Sequence, residues 1–171
     1  MTLTLASPTP AADPLTWPVY LAAAIAVGLC VLLHYETIRL IIWCLKKYRP
    51  SPRLSLVGSV LTLLTAHIIQ IIGFAFAMGS LTALFGTRVG ELAGQDANTL
   101  TDSFYFSTAV FTTVGFGDIV PLGPLRALVA IEALTGLVLI TWSASFTFLL
   151  MQRFFVDTEQ PDSTPPPPPA S

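Results

Sequence analysis

Apolar residues run along this chain in three long blocks separated by short polar stretches. The blocks cover about Trp17 to Leu45, Leu56 to Phe85 and Leu122 to Phe155. A helix needs about 20 consecutive apolar residues to cross a bilayer, and each block is long enough. Between the first two stands KKYRPSPR, holding Lys46, Lys47, Arg49 and Arg53, half of the eight basic residues in the chain. Short basic loops stay on the cytoplasmic side, so the pattern predicts a cytoplasmic loop over 46–55 and an extracytoplasmic N-terminal tail over 1–16. The second block returns outward, 86–100 forms an external loop with Glu91 and Asp96, and the third descends to Arg153. Three transmembrane helices of an all-α membrane protein follow, with 17–45 as the first, 56–85 as the second and 122–155 as the third.

The segment left over, 101–121, lies on the outer side between the second and third spans. Thr101 can cap a helix with its hydroxyl, Asp102 suits the positive end of the helix dipole, and FYFSTAVF supplies about two apolar turns. The segment is too short to cross and can only dip in and return, as a re-entrant helix followed by a loop. Non-helical backbone at membrane depth is tolerated where protein buries it or where it lines a water-filled path.

Composition agrees. Of 171 residues, 53% are hydrophobic and 11% charged, and the mean hydropathy is +0.72, a balance that suits a bilayer and not a soluble core. The net charge of −2 gives no pull toward nucleic acid. Cys30 and Cys44 lie about 21 Å apart along one predicted helix and cannot bridge each other. The first sixteen residues lack the basic start and apolar centre of a secretory signal, so the first apolar block is expected to remain as a helix. Residues 156–171, with five consecutive prolines, read as a disordered cytoplasmic tail.

The loop of the re-entrant segment is TTVGFGD, Thr112 to Asp118. Two glycines around one aromatic are poor helix material, so the backbone itself is expected to act as ligand. Aiming successive carbonyls at one axis requires alternation between right- and left-handed conformations, and Gly115 and Gly117 take the left-handed steps without steric penalty. Val114 and Phe116 then turn their side chains away to pack on the short helix. Thr113 adds a hydroxyl as the innermost ligand, Thr112 lies at the floor, and Asp118 puts negative charge at the outer mouth. The C-terminal end of the short helix favours a cation nearby.

Residues 112–118 resemble the selectivity-filter signature of tetrameric potassium channels, and 101–155 is similar to the pore domain of the two-helix members of that superfamily. The resemblance implies a pore domain over 56–155, made of outer helix 56–85, external loop 86–100, pore helix and filter 101–121, and inner helix 122–155. The first helix is an addition to that plan. Carried over position by position, the filter oxygens that bind K+ fall on Thr113, Val114, Gly115 and Phe116, with Gly117 completing the turn. The superfamily most often has tyrosine where Phe116 stands, so a hydroxyl that would tie the filter to its surroundings is absent. The resemblance also implies a homotetramer in the lipid bilayer of the cell membrane, permeant K+ in place of any cofactor, and no enzymatic activity.

Several polar residues lie in the predicted spans. Glu132 is placed behind the filter, where it braces the pore helix or, alternatively, tunes the filter by its protonation. Glu36 and Arg39 share a helix face and form an internal pair. His67 sits at the depth of His34 and Glu36, one turn from Gln70, so a polar contact among His34, Glu36, Arg39 and His67 would dock the first helix; a proton sensor is the alternative. Gly136 serves as a gating hinge or as a packing site. Thr135, Ser143 and Thr147 face a cavity or bond back to their own helix. No helix carries basic residues at every third position, which argues against a charged voltage sensor. Three functions compete: a potassium-selective passive channel, a weakly selective cation channel, and a non-conducting scaffold or transporter subunit that binds partners. The absence of a nucleotide-binding motif argues against a powered pump, and gating falls to the helices, the lipid, pH or a regulatory partner.

Overall fold

The computed structural model describes residues 15–94 and 100–159. Four helices, α1 (Trp17–Tyr48), α2 (Pro52–Phe85), α3 (Leu100–Phe111) and α4 (Leu125–Glu159), dominate it. A 3₁₀ turn, Gly86–Val89, follows α2, and two short strands, β1 (Leu92–Gly94) and β2 (Ile119–Pro121), flank α3 and the loop after it. Helices α1, α2 and α4 are long and apolar enough to cross a membrane. At twelve residues, α3 is about 18 Å long and is not.

The ends of the spans differ from expectation in ways local chemistry explains. Lys46 and Lys47 occupy the last turn of α1, where cations suit the negative end of the helix dipole, and Arg53 lies in the first turn of α2. Only Arg49, Pro50 and Ser51 remain of the predicted loop over 46–55. Pro50 lacks the N–H that would continue α1, so Arg49 turns left-handed, at φ 44°, and donates its N–H to the Leu45 carbonyl over 3.2 Å. Pro52 fits the first position of the next helix, so α2 begins at once. At the other end α4 runs on to Glu159, beyond the predicted Phe155. Helix α3 starts at Leu100, which puts Thr101 inside the helix and not at its cap. The tails 1–14 and 160–171, and Asp96, lie outside the described residues.

Helix α3 wedges between α2 and α4, while α1 lies against both of those helices. The buried core gathers Val19 and Ala23 of α1, Phe74, Met78 and Leu81 of α2, Phe111 of α3, and Leu125, Leu128 and Leu139 of α4. Much of the remaining apolar surface faces outward, with Phe76 at 72% and Leu84 at 76% exposure, as lipid or a neighbouring chain requires. Apolar burial drives little helix association in lipid, so close approach at small residues and polar bonds between helices must hold this bundle together.

The predicted loop 86–100 contains a small ribbon. Strand β1 pairs antiparallel with β2, setting Leu92 opposite Pro121 and Gly94 opposite Ile119, and the Leu122 N–H donates to the Glu91 carbonyl at 2.8 Å. At Gly90 a side chain would meet the Leu122 carbonyl oxygen at 2.0 Å, so only glycine lets the two segments close. The ribbon ties the chain leaving α2 to the chain leaving the 112–118 loop.

Candidate functional site

Helix α3 delivers residues 112–118 from its C-terminal end. The Thr112 N–H donates to the Thr108 carbonyl (3.1 Å), the Thr113 N–H to Val110 (2.9 Å), and those of Val114 and Gly115 both to Ala109 (2.9 and 3.1 Å). The loop's donors thereby satisfy the carbonyls that a helix end leaves unpaired. Among the described residues, no backbone N–H outside the regular elements bonds to the carbonyls of Thr112 to Gly117. These six oxygens are free to act as ligands.

The dihedrals complete the pattern. Positive φ occurs at Thr113 (61°), Gly115 (55°) and Gly117 (81°), and at none of the residues between them. Handedness that switches at every residue turns successive carbonyls toward one side of the strand. The sequence pattern assigned left-handed steps to the two glycines only. Thr113 is a β-branched residue in that region, which costs roughly 1–2 kcal/mol and marks a position where backbone direction overrides side-chain preference.

All seven residues from Thr112 to Asp118 are exposed, while Phe111 before them and Ile119 after them are buried. Phe116 does pack on the short helix as expected: its ring stacks on Tyr105, with centroids 6.0 Å apart and planes 6° from parallel. Val114 does not; it is 56% exposed and faces away from the protein's own core. Asp118 is held at both carboxylate oxygens, Oδ1 accepting from the Ile119 N–H (3.0 Å) and Oδ2 from the Tyr105 hydroxyl (2.9 Å). That hydrogen bond to the carboxylate raises the phenol's pKa, so Tyr105 remains a donor at neutral pH. Nothing in the sequence pattern marks Tyr105, yet it supplies the hydroxyl that Phe116 lacks. Thr112 bonds its side chain back to the Thr108 carbonyl at 2.7 Å.

Two contacts brace α3 from behind. A side chain at Gly136 would meet the Phe111 carbonyl oxygen at 2.0 Å and its carbon at 2.8 Å, so α4 touches the end of α3 backbone to backbone. Close packing accounts for this glycine. Glu132, one turn before it on α4, is fully buried and hydrogen-bonded to Ser107 of α3, whose hydroxyl also lies 3.1 Å from the Ile71 carbonyl of α2.

The predicted polar contact between α1 and the other helices divides. Glu36 and Arg39 form their pair at 3.0 Å but on the exposed face of α1. His34 is buried, and with His67, Gln70 and Ser143 it forms a closed ring joining α1, α2 and α4. The Cys30 carbonyl fixes its sense, because it can only accept and so turns the Gln70 amide nitrogen toward itself (3.2 Å). Gln70 Oε1 therefore accepts from His67 Nδ1–H (3.0 Å), and His67 Nε2 accepts from the Ser143 hydroxyl (3.0 Å). The Ser143 oxygen accepts from His34 Nε2–H (3.3 Å), and His34 Nδ1 accepts from Gln70 (3.4 Å). Every donor meets one acceptor with both imidazoles uncharged. His67 also lies against Phe111, with ring centroids 5.8 Å apart, so the ring reaches the base of the 112–118 loop. Of the two alternatives for the α4 hydroxyls, Thr135 and Thr147 take the bond back to their own helix, at 2.7 and 2.9 Å. Cys30 and Cys44 are both free thiols, and among the described residues no cluster suited to a metal is present.

The family model described as "Ion channel" matches residues 59–153, more than half of the chain. The inward rectifier potassium channel Kirbac3.1 of Paramagnetospirillum magnetotacticum is 32% identical over 88 residues, covering 50% of this chain and 30% of the relative. The chain thus matches less than a third of that relative's length. No solved structure matches.

Proposed function

The chain belongs to the ion channel family, and we propose that it is a potassium-selective channel in which K+ moves passively through the backbone carbonyls of residues 112–117. The observation that carries this reading is the strand itself. The N–H groups of Thr112 to Gly115 are turned back onto α3, the strand's carbonyls are unbonded, and its handedness alternates at Thr113, Gly115 and Gly117. Carbonyl oxygens replace the water shell of a cation without the deep binding a carboxylate would impose, so ions can both enter and leave. The Thr113, Val114, Gly115 and Phe116 oxygens are the proposed K+ ligands, with Gly117 completing the turn and Asp118 charging the mouth. The potassium channel named among the relatives supports K+ as the ion.

One chain offers one strand, exposed along its length, and exposed irregular backbone is not stable in lipid. Further copies of the chain would complete the ring, and we take the assembly as a homotetramer with the ion path on its axis. The basic turn between α1 and α2 sets the orientation, with that turn and the C-terminus in the cytoplasm and the N-terminus outside. The weakly selective reading rested on the missing hydroxyl at Phe116. The stack of Phe116 on Tyr105 and the bond from Tyr105 to Asp118 restore a tether, which favours the selective filter.

Proteoliposomes holding the purified protein test this, with K+ and Na+ flux measured separately and Gly115→Asp as the altered filter. The reading predicts K+ flux well above Na+ flux and loss of both in the variant. Equal fluxes would establish the weakly selective channel, and flux unaffected by Gly115→Asp would remove the loop from the ion path.

A further inference from the structure

Ser107 has one hydroxyl proton and two oxygen neighbours, the Ile71 carbonyl at 3.1 Å and Glu132 Oε1. With Glu132 ionised, one of these contacts would set two lone pairs against each other. The other carboxyl oxygen, Oε2, is buried and has no hydrogen-bond partner. An ionised carboxylate would therefore hold its charge fully buried on a single donor, a costly arrangement.

Among the described residues no cation pairs with Glu132. On α1 the titratable group that senses Glu132 is the Cys30 thiol. On α2 the titratable group is His67, whose two ring nitrogens are taken by Gln70 and Ser143. Asp102 on α3 lies five residues from Ser107, about 7.5 Å along the axis, and carries the same sign. Arg126 on α4 is six residues from Glu132, about 9 Å along the axis and on a different face.

We propose that Glu132 retains its proton and donates it to Ser107, which donates in turn to the Ile71 carbonyl, so that this relay latches the pore helix to α4 and α2. One proton added to the pair satisfies both contacts and removes the buried charge. Glu132 is then a positioning residue: it touches no ion, but it fixes the helix whose end carries residues 112–118. This consequence for flux rests on the channel reading, whereas the proton itself can be detected without conduction.

The test compares wild type with Glu132→Gln and Glu132→Ala in lipid vesicles. In the infrared difference spectrum of wild type minus Glu132→Gln at neutral pH, a protonated-carboxyl C=O band belongs to wild type. A difference showing carboxylate bands alone would overturn the proposal, whatever the flux. Glu132→Gln keeps a neutral donor toward Ser107, so its K+ flux stays within about twofold of wild type, while Glu132→Ala falls by about tenfold. Raising the pH removes the Glu132 proton and lowers wild-type flux, and the Glu132→Gln profile stays flat over the same range. If Glu132→Gln matched Glu132→Ala, or kept the wild-type pH profile, the latch would be refuted. A protein that shows the carboxyl band yet never conducts would sink the channel reading and leave the proton assignment standing.

Discussion

Replacing Gly136 with alanine sets backbone against backbone. The added carbon would sit 2.0 Å from the Phe111 carbonyl oxygen, and ordinary contact begins near 3.4 Å, so α4 and the end of α3 must part by about 1.4 Å (3.4 minus 2.0). Overpacking of this kind costs about 1–3 kcal/mol, and the upper part of that range applies because no flexible side chain can give way. Alanine gains back about 0.5–1 kcal/mol over glycine within a helix, leaving a net loss of about 1–2 kcal/mol per chain. Gly73→Ala on α2 is the matched control. Its added carbon meets nothing within 4 Å, so the propensity gain stands alone and the sign reverses. Denaturation of the reconstituted protein should separate the two variants by about 2–3 kcal/mol. K+ flux should fall in Gly136→Ala, because Phe111 immediately precedes the carbonyl strand, and persist in Gly73→Ala. A hinge glycine would behave differently, with stability unchanged and the open fraction altered. Equal stability shifts in the two variants would refute the packing account.

Tyr105→Phe keeps the stack on Phe116 but removes the hydroxyl from Asp118, so the ratio of K+ to Na+ flux should fall while assembly is unchanged; an unaltered ratio would show that the tether does not shape the filter. The Tyr105 proton is lost only as pH rises above the ordinary tyrosine range, so the ratio should be constant across neutral pH. Gln70→Leu leaves His34, His67 and the Cys30 carbonyl each without one partner; the bonds to His34 and the Cys30 carbonyl cross from α2 to α1, and at about 0.6 kcal/mol per interhelical bond in lipid the protein should lose about 1 kcal/mol, read as a lower denaturation midpoint. Glu36→Ala, which breaks an exposed pair on α1, should shift the same midpoint by less than about 0.5 kcal/mol.

The spans were legible because lipid imposes one requirement on every residue of a helix, and block length alone meets it. Their ends were not, since Pro50 and Pro52 compress a basic stretch into a three-residue link that hydropathy cannot resolve. The two glycines announced the left-handed steps at 115 and 117. The third step, at Thr113, carries no such mark, because there the surrounding bonds overrule the residue's own preference. The β1–β2 ribbon escaped because three-residue strands are too short to show alternation. Glu132 and His67 stand out as costly groups in apolar helices, but Ser107 is ordinary in sequence, and the joining of Gln70 and Ser143 to the histidines becomes visible only where helices meet. Depth alone groups Glu36 with His34. Two residues along a helix is about 200° of rotation, and that puts Glu36 on the exposed face.

If backbone handedness at 115 makes the ion path, mirror-image alanines at that position will separate conducting from non-conducting protein. L-alanine and D-alanine, introduced by semisynthesis, each add one methyl group, the L-methyl into space that is open within the chain, but L-alanine disfavours the φ of 55° by about 1–2 kcal/mol and D-alanine favours it. K+ flux retained with D-alanine and lost with L-alanine is the predicted result. Equal flux through both would contradict the account, because the carbonyl direction set by Gly115 would then have no part in conduction.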